Sequence, residues 1–361
     1  MSVETARVIV VSLAVGVAWV VYRRVMGASS SRGGARTARR AEALGLLPAS
    51  RQNTLLPGPA PELERALAAA ARGDWEPAAG LMVATRERRD WQRRYRYAGA
   101  LGGLAAEGDG AWLDAWEAAA GPDDPDVAVV RIDFTISLAW RLRGSAWAKD
   151  TTSEQFGGFF RVLPQAVKHI ERAAELNPDD PTPYAKGATV ALGLNYSHDD
   201  MHRIWQEITS RDPHHYGAHT AALLYWCAKW HGSEELATSF AQRAAASAPP
   251  GTLLRMLPLI SWWEHHEGSG KKADHRSPQL AAQVDAALAD VAAAPPDHPD
   301  LPRVRHLLAY ILVRQGRFEA ALEQFRLVDG HVGAVPWSLY EDPAAVYCRW
   351  RDKAVRGARR R

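Results

Sequence analysis

From Pro61 onward the apolar positions recur every three to four residues, in stretches of about 10–16 residues closed by Pro, Gly or Asp-Pro. No stretch alternates apolar and polar residues between turn signals, as a half-buried strand would. The pattern therefore predicts helices throughout. It also repeats. Pro178, Pro213 and Pro249 lie 35 and 36 residues apart, each just after a predicted helix. Upstream of them, at matching offsets, stand Ala166, Ile170 and Ala173, then Met201, Trp205 and Ile208, then Ala237, Ala241 and Ala244. Each triplet has i, i+4, i+7 spacing and marks one helix face, and its small members let a neighbouring helix approach closely.

A period near 34 residues with this pattern resembles the tetratricopeptide repeat. LLAYILVRQGRFEAALEQFRLV (307–328) fits the same template through Leu308, Ala309, Gly316, Phe318, Ala321 and Phe325. A weaker copy at 63–82 carries Gly73, Trp75 and Ala78. The central part, roughly residues 130–250, is similar to a narrower group of bacterial TPR-like domains. That similarity rests on Trp140, Arg143-Gly144 and Trp147, on AAELNPDDPTPY (173–184) and ALGL (191–194), and above all on KWHGSEELATSF (229–240). The resemblance implies an all-α, right-handed α-solenoid of helical hairpins over residues 61–350, with the best repeats at 147–249 and 302–330. It brings no catalytic residue. The segment 143–160 is an insertion that ordinary repeats lack.

The first residues obey a different pattern. Val8 to Tyr22 is an uncharged apolar run of 15 residues, with Trp19 and Tyr22 near one end. With its flanks it approaches the roughly 17–25 residues that a bilayer core needs, so residues 1–26 are read as a transmembrane anchor in preference to a cleaved signal. Arg23, Arg24, Arg32, Arg36, Arg39 and Arg40 follow the run and only Arg7 precedes it, which places the rest of the chain in the cytoplasm of a single-pass membrane protein. Residues 27–60, rich in Ser, Gly, Arg and Pro, read as a flexible tether with one short helix near Arg39–Leu46, and residues 351–361 as a basic tail.

Composition changes this picture little. Apolar residues at 47% and a net charge of +3 over 361 residues describe a globular chain without a bias toward polyanions. Cys227 and Cys348 are too few and too far apart for a disulfide framework or a thiolate zinc site.

Three clusters hold candidate chemistry. His198-Asp-Asp-Met-His202 is one methylene short of the H-E-x-x-H zinc motif, and His215 and His219 repeat its spacing. Ser197 with Asp200, however, forms the S-x-x-[DE] capping box, which takes the carboxylate for the helix start. At ~1.5 Å per residue the two histidine pairs should stand about 15 Å apart, too far to share an ion. His198 and His202 remain the metal-ligand candidates, and a metal-dependent hydrolase built on them, or on the cluster at 264–267, is the first alternative reading. His219 is expected as a core filler. The second cluster, Trp262-Trp263-Glu264-His265-His266-Glu267, reads as a polar helix end before a loop. The third, RERRDWQRRYRY (86–97), has six arginines and three interleaved aromatics. RNA binding through Arg86–Arg96 is the second alternative, against a solvated arginine face with its rings turned inward. Phosphate-cradle and nucleophile-elbow motifs are absent, and no cofactor is expected.

The expected protein is thus a membrane-anchored, cytoplasm-facing scaffold or adaptor with no catalytic activity, and nucleic acid is not its expected partner. Its protein or peptide ligand would lie in the concave groove lined by the first helix of each hairpin. That groove would include Tyr184, Thr189, Leu192, Thr220, Leu224 and Cys227, with Trp230 and His231 at the turn beyond.

Overall fold

The computed structural model describes residues 32–144, 151–267 and 274–358. The protein is all-α: 73% of the described residues are helical, and none of them lies in a strand. None of their helices is long and apolar enough to cross a membrane; the expected anchor at residues 8–22 lies outside them. Among the described residues two compact units stand where one repeat domain over 61–350 was expected, the first within Ala60–Ala244 and the second within 32–59 and 245–358.

In the first unit, α2 (Pro61–Ala70) and α3 (Glu76–Glu87) form a hairpin, followed by α4 (Trp91–Glu107), α5 (Ala111–Ala120) and α6 (Pro125–Arg143). After them come α7 (Ser153–Val162), α8 (Gln165–Leu176), α9 (Thr182–Gly193), α10 (His198–Arg211), α11 (Tyr216–Trp226) and α12 (Glu234–Ser247). The helix starts are written locally. Asp90 and Asp124 accept backbone N–H groups at the starts of α4 and α6, and a Thr152–Gln155 capping box opens α7. Helices α8, α10 and α12 each stop just before the recurrent prolines, and their small or apolar triplets face inward: Ala166, Ala173, Met201, Ile208, Ala237 and Ala241 are fully buried. Helix α9 begins 34 residues before α11, the expected repeat length.

Two of the remaining helices of this unit form a second layer. Helix α4 lies on α6, and both cover α9; α4 also touches α11. The approach is close. A Cβ added at Gly102 of α4 would stand 2.5 Å from the Asp133 Cβ and from the Phe134 backbone nitrogen, and one at Gly217 of α11 would meet the Tyr95 ring at 2.7 Å. Only glycine permits either contact.

The second unit contains α1 (Arg32–Ala43), α13 (Leu257–Trp262), a π-turn (Trp263–Glu267), α14 (Pro278–Ala293), α15 (Leu301–Gln315), α16 (Phe318–Val328) and α17 (Pro343–Gly357). Helices α15 and α16 form the hairpin predicted at 307–328, with Gly316 in the left-handed region at its turn. The rings of His306, Phe325, Trp337 and Tyr347 meet in the core with centroids 5.3–6.5 Å apart.

The stretch read as a flexible tether differs from that reading. From Arg32 it is α1, which packs on α17, and then an arm held by side chains far along the chain. Leu47 N–H donates to Asp329 at 2.6 Å, Arg351 donates to the Leu47 carbonyl at 2.5 Å, and Gln52 bridges Asp329 and Gly330. Asn53 adds paired backbone bonds to Gly330 and Val332. These partners satisfy an irregular backbone that composition assigns to water. The basic tail is likewise shorter than expected, because α17 runs to Gly357 and buries Arg351.

Candidate functional site

The eight residues placed on the groove do not form an open surface. Thr189, Leu192, Leu224 and Cys227 are buried. The Tyr184 ring lies under the Arg211 guanidinium, and Thr220 donates to the Tyr216 carbonyl within its own helix. The covering layer explains this: α9 is buried along almost its whole length, with α4 and α6 over it. At their junction Lys186 lies 2.9 Å from the Asp133 carboxylate, 3.0 Å from the Tyr95 carbonyl and 3.5 Å from the centre of the Tyr95 ring. Burial drives the Asp133 carboxyl pKa up, and the Lys186 charge offsets only part of that rise.

The histidines serve the scaffold. The Ser197–Asp200 capping box is formed, and the rings of His198 and His202 both lean on Trp226. His198 Nε2 is 2.7 Å from the His231 carbonyl, and His231 Nε2 is 2.9 Å from that of Leu192. His215 caps α11 through Nδ1, and its Nε2 faces the Trp91 carbonyl at 3.3 Å. His219 packs edge-on against Trp205, and burial takes its pKa down to about 4. Among the described residues no group of three or more His, Cys, Asp or Glu is placed to hold a metal ion.

The arginine-rich stretch is also used internally. Arg94 is wholly buried, with Asp126 at 2.6 Å, Asp180 at 2.5 Å, and the carbonyls of Met82 and Pro125 as further acceptors. Arg86 pairs with Asp126, Arg89 with Asp179, and Arg93 with Asp90. Four of the six arginines are therefore committed to carboxylates of the first unit. The expectation of a solvated arginine face fails for Arg94, although Trp91 and Tyr97 do turn inward.

One predicted residue leads to a different surface. Trp230 meets Trp140 edge-on at 5.9 Å, and Trp140 meets Phe159 of α7 at 4.9 Å. Phe159 is the only buried side chain on α7. Phe156 and Phe160 stack on each other at 6.1 Å on its outer side, and Phe160 is 48% exposed. Leu142 at the end of α6 is 36% exposed and adjoins α7 at Gly158. Arg143 covers part of Phe156, while Arg141 and Arg161 beside this surface are exposed. Phe156, Phe159 and Phe160 have i, i+3, i+4 spacing, a signal that was readable within the 143–160 insertion. One ring docks the helix and the other two remain in reach of a partner.

This arrangement can bind an apolar face by desolvation; it offers no nucleophile with an adjacent base. No family model matches this chain, and neither a curated protein nor a solved structure matches it.

Proposed function

We propose that the chain is a membrane-tethered, cytoplasm-facing scaffold of the TPR-like α-solenoid class, which binds a protein partner and carries no catalytic activity of its own. The hairpin α9–α10 and the 34-residue offset from α9 to α11 support the solenoid part of this reading. The observation that carries the binding part is the surface of Leu142, Phe156 and Phe160. Large apolar side chains grouped on an outer helix are costly to leave in water, by about 1.5–3 kcal/mol for each ring fully covered. The partner's chemistry follows from the flanks. Arg141 and Arg161 favour an amphipathic helix with apolar residues on one face and acidic residues beside them. The ligand thus docks on the outside of α6 and α7, away from the covered groove.

Photo-crosslinking tests this in the full-length protein in its own membranes. A benzoylphenylalanine at position 160 should give a discrete protein adduct that disappears in L142S/F156S, with helical content unchanged. If position 160 yields only the adducts formed from exposed position 171, the proposal fails.

A further inference from the structure

A second surface, in the other unit, has the opposite character. The C-terminal turns of α15 and α17 come together at α16. A Cβ at Gly357 would strike the Phe318 ring at 2.2 Å, and one at Gly316 would be 4.0 Å from the same ring and 3.6 Å from Nη2 of Arg276. Arg314, one turn after Tyr310, lies 3.2 Å from His275 Nε2. His275 is also 2.8 Å from Glu267, and the Tyr310 hydroxyl donates to that carboxylate. The Tyr310 ring lies 4.6 Å from Trp350, and the Lys353 ammonium stands 5.1 Å over the Trp350 ring. Arg276, Arg314 and Lys353 thus share one patch, with Arg356 at its edge.

Among the described residues none of these three cations is ion-paired with a carboxylate. Each helix C-terminus supplies about half a negative charge, so the two together balance about one of three positive charges. Glu267 is engaged by His275 and Tyr310; burial raises its pKa, but those two bonds together with the charges of His275 and Arg314 outweigh burial and hold it below the ordinary value. Burial and the charges of Arg314, Arg356 and Arg276 all push the Lys353 pKa down. A cation so placed gains from any anion that enters. Two guanidinium groups and an ammonium beside an aromatic floor match the charge and donor geometry of a phosphate group.

We infer that Arg276, Arg314 and Lys353 form a binding site for a phosphate group, carried either by a small soluble compound or by a lipid headgroup. The site is independent of the protein-binding surface on α6 and α7. The test uses the full chain in zwitterionic detergent, titrated calorimetrically with inorganic pyrophosphate and, separately, with soluble dihexanoyl phosphatidic acid. Saturable binding that weakens with added salt is expected for at least one of them. R276A/K353A should weaken it at least ~tenfold, as loss of a charge-assisted hydrogen bond would. R65A/R72A removes the same charge from exposed positions of the first unit and should change affinity less than ~twofold. Preference for pyrophosphate identifies a soluble phosphate compound, and preference for the lipid a headgroup. Absence of saturable binding to both, or an equal loss in the control variant, overturns the inference.

Discussion

His306 allows a quantitative test of the second unit. Its Nε2–H donates to the Pro57 carbonyl at 2.8 Å, and its Nδ1 accepts from the Trp337 indole at 2.9 Å. The indole can only donate, so Nδ1 must stay unprotonated, and burial holds the imidazole pKa down from 6.5 to about 4. Above pH 6.5 the ring is neutral in both folded and unfolded chains and adds no pH dependence. As the pH falls below that value, the unfolded chain takes up a proton that the folded chain refuses, and stability drops until about pH 4. That difference is worth about 3 kcal/mol in full, of which about 2 kcal/mol is lost by about pH 5. Other groups titrate in this window. Asp352, whose carboxyl is raised chiefly by burial, gains stability as the pH falls, so a difference between variants is the proper readout. H306Q keeps a donor for Pro57 but leaves the indole N–H unpaired, so it should be about 1–3 kcal/mol less stable at neutral pH. It should also lack the acid-dependent loss, closing most of the gap with the parent by about pH 5. Urea unfolding read by hydrogen exchange over residues 301–315 measures both quantities. Parallel pH profiles for parent and variant would refute the assignment of a neutral, Nε2-protonated His306.

Two further perturbations probe polar contacts that composition does not reveal. R94M leaves the buried Asp126 and Asp180 without their shared cation, and should destabilise the first unit by about 3–5 kcal/mol in urea unfolding; less than about 1 kcal/mol would mean that water enters the site. D329A removes the acceptor shared by Leu47 N–H, Gln52 and the Tyr347 hydroxyl. Amide exchange at residues 46–53 should quicken at least ~tenfold while that of α4 stays fixed, and unchanged exchange would show that the arm is held by apolar packing alone.

The features legible in the sequence are those whose partners are close along the chain. The Ser197–Asp200 box, the prolines that end α8, α10 and α12, and Gly316 at its turn all act within a few residues, so spacing identifies them. The same locality explains the misreadings. Nothing near Leu47 or Gln52 announces that Asp329 and Arg351, about 280–300 positions away, satisfy their backbone. Arg94 looks like its exposed neighbours, because its acceptors Asp126 and Asp180 come from the starts of later helices. On α7 the three phenylalanines were legible as a face, but which of them is buried depends on Trp140 and Gly193. A Cβ at Gly193 would stand 3.0 Å from Phe159, so this glycine makes the socket for one ring only.

A concave groove requires that the first helix of each hairpin face a ligand, and Lys186 shows why this chain departs from that rule. A lysine on an open concave face would remain solvated, whereas here it is buried against Asp133 and the Tyr95 ring. Burying such a pair yields little net stability, since desolvation of both charges offsets most of their attraction. At Asp133 burial is the largest influence and drives the carboxyl pKa up against the Lys186 charge. Apolar contact therefore holds α4 and α6 over α9 and the Gly102 crossing locks α4 to α6, while the ion pair penalises any other register of the two layers. A slip of one helical turn would leave a buried ammonium facing apolar carbon, at a cost of several kcal/mol. The layer that fills the groove is thus fixed in place by a charge pair. A partner seeking the α9 surface would have to displace both α4 and α6, and the exposed Phe160 ring of α7 is reached without moving either.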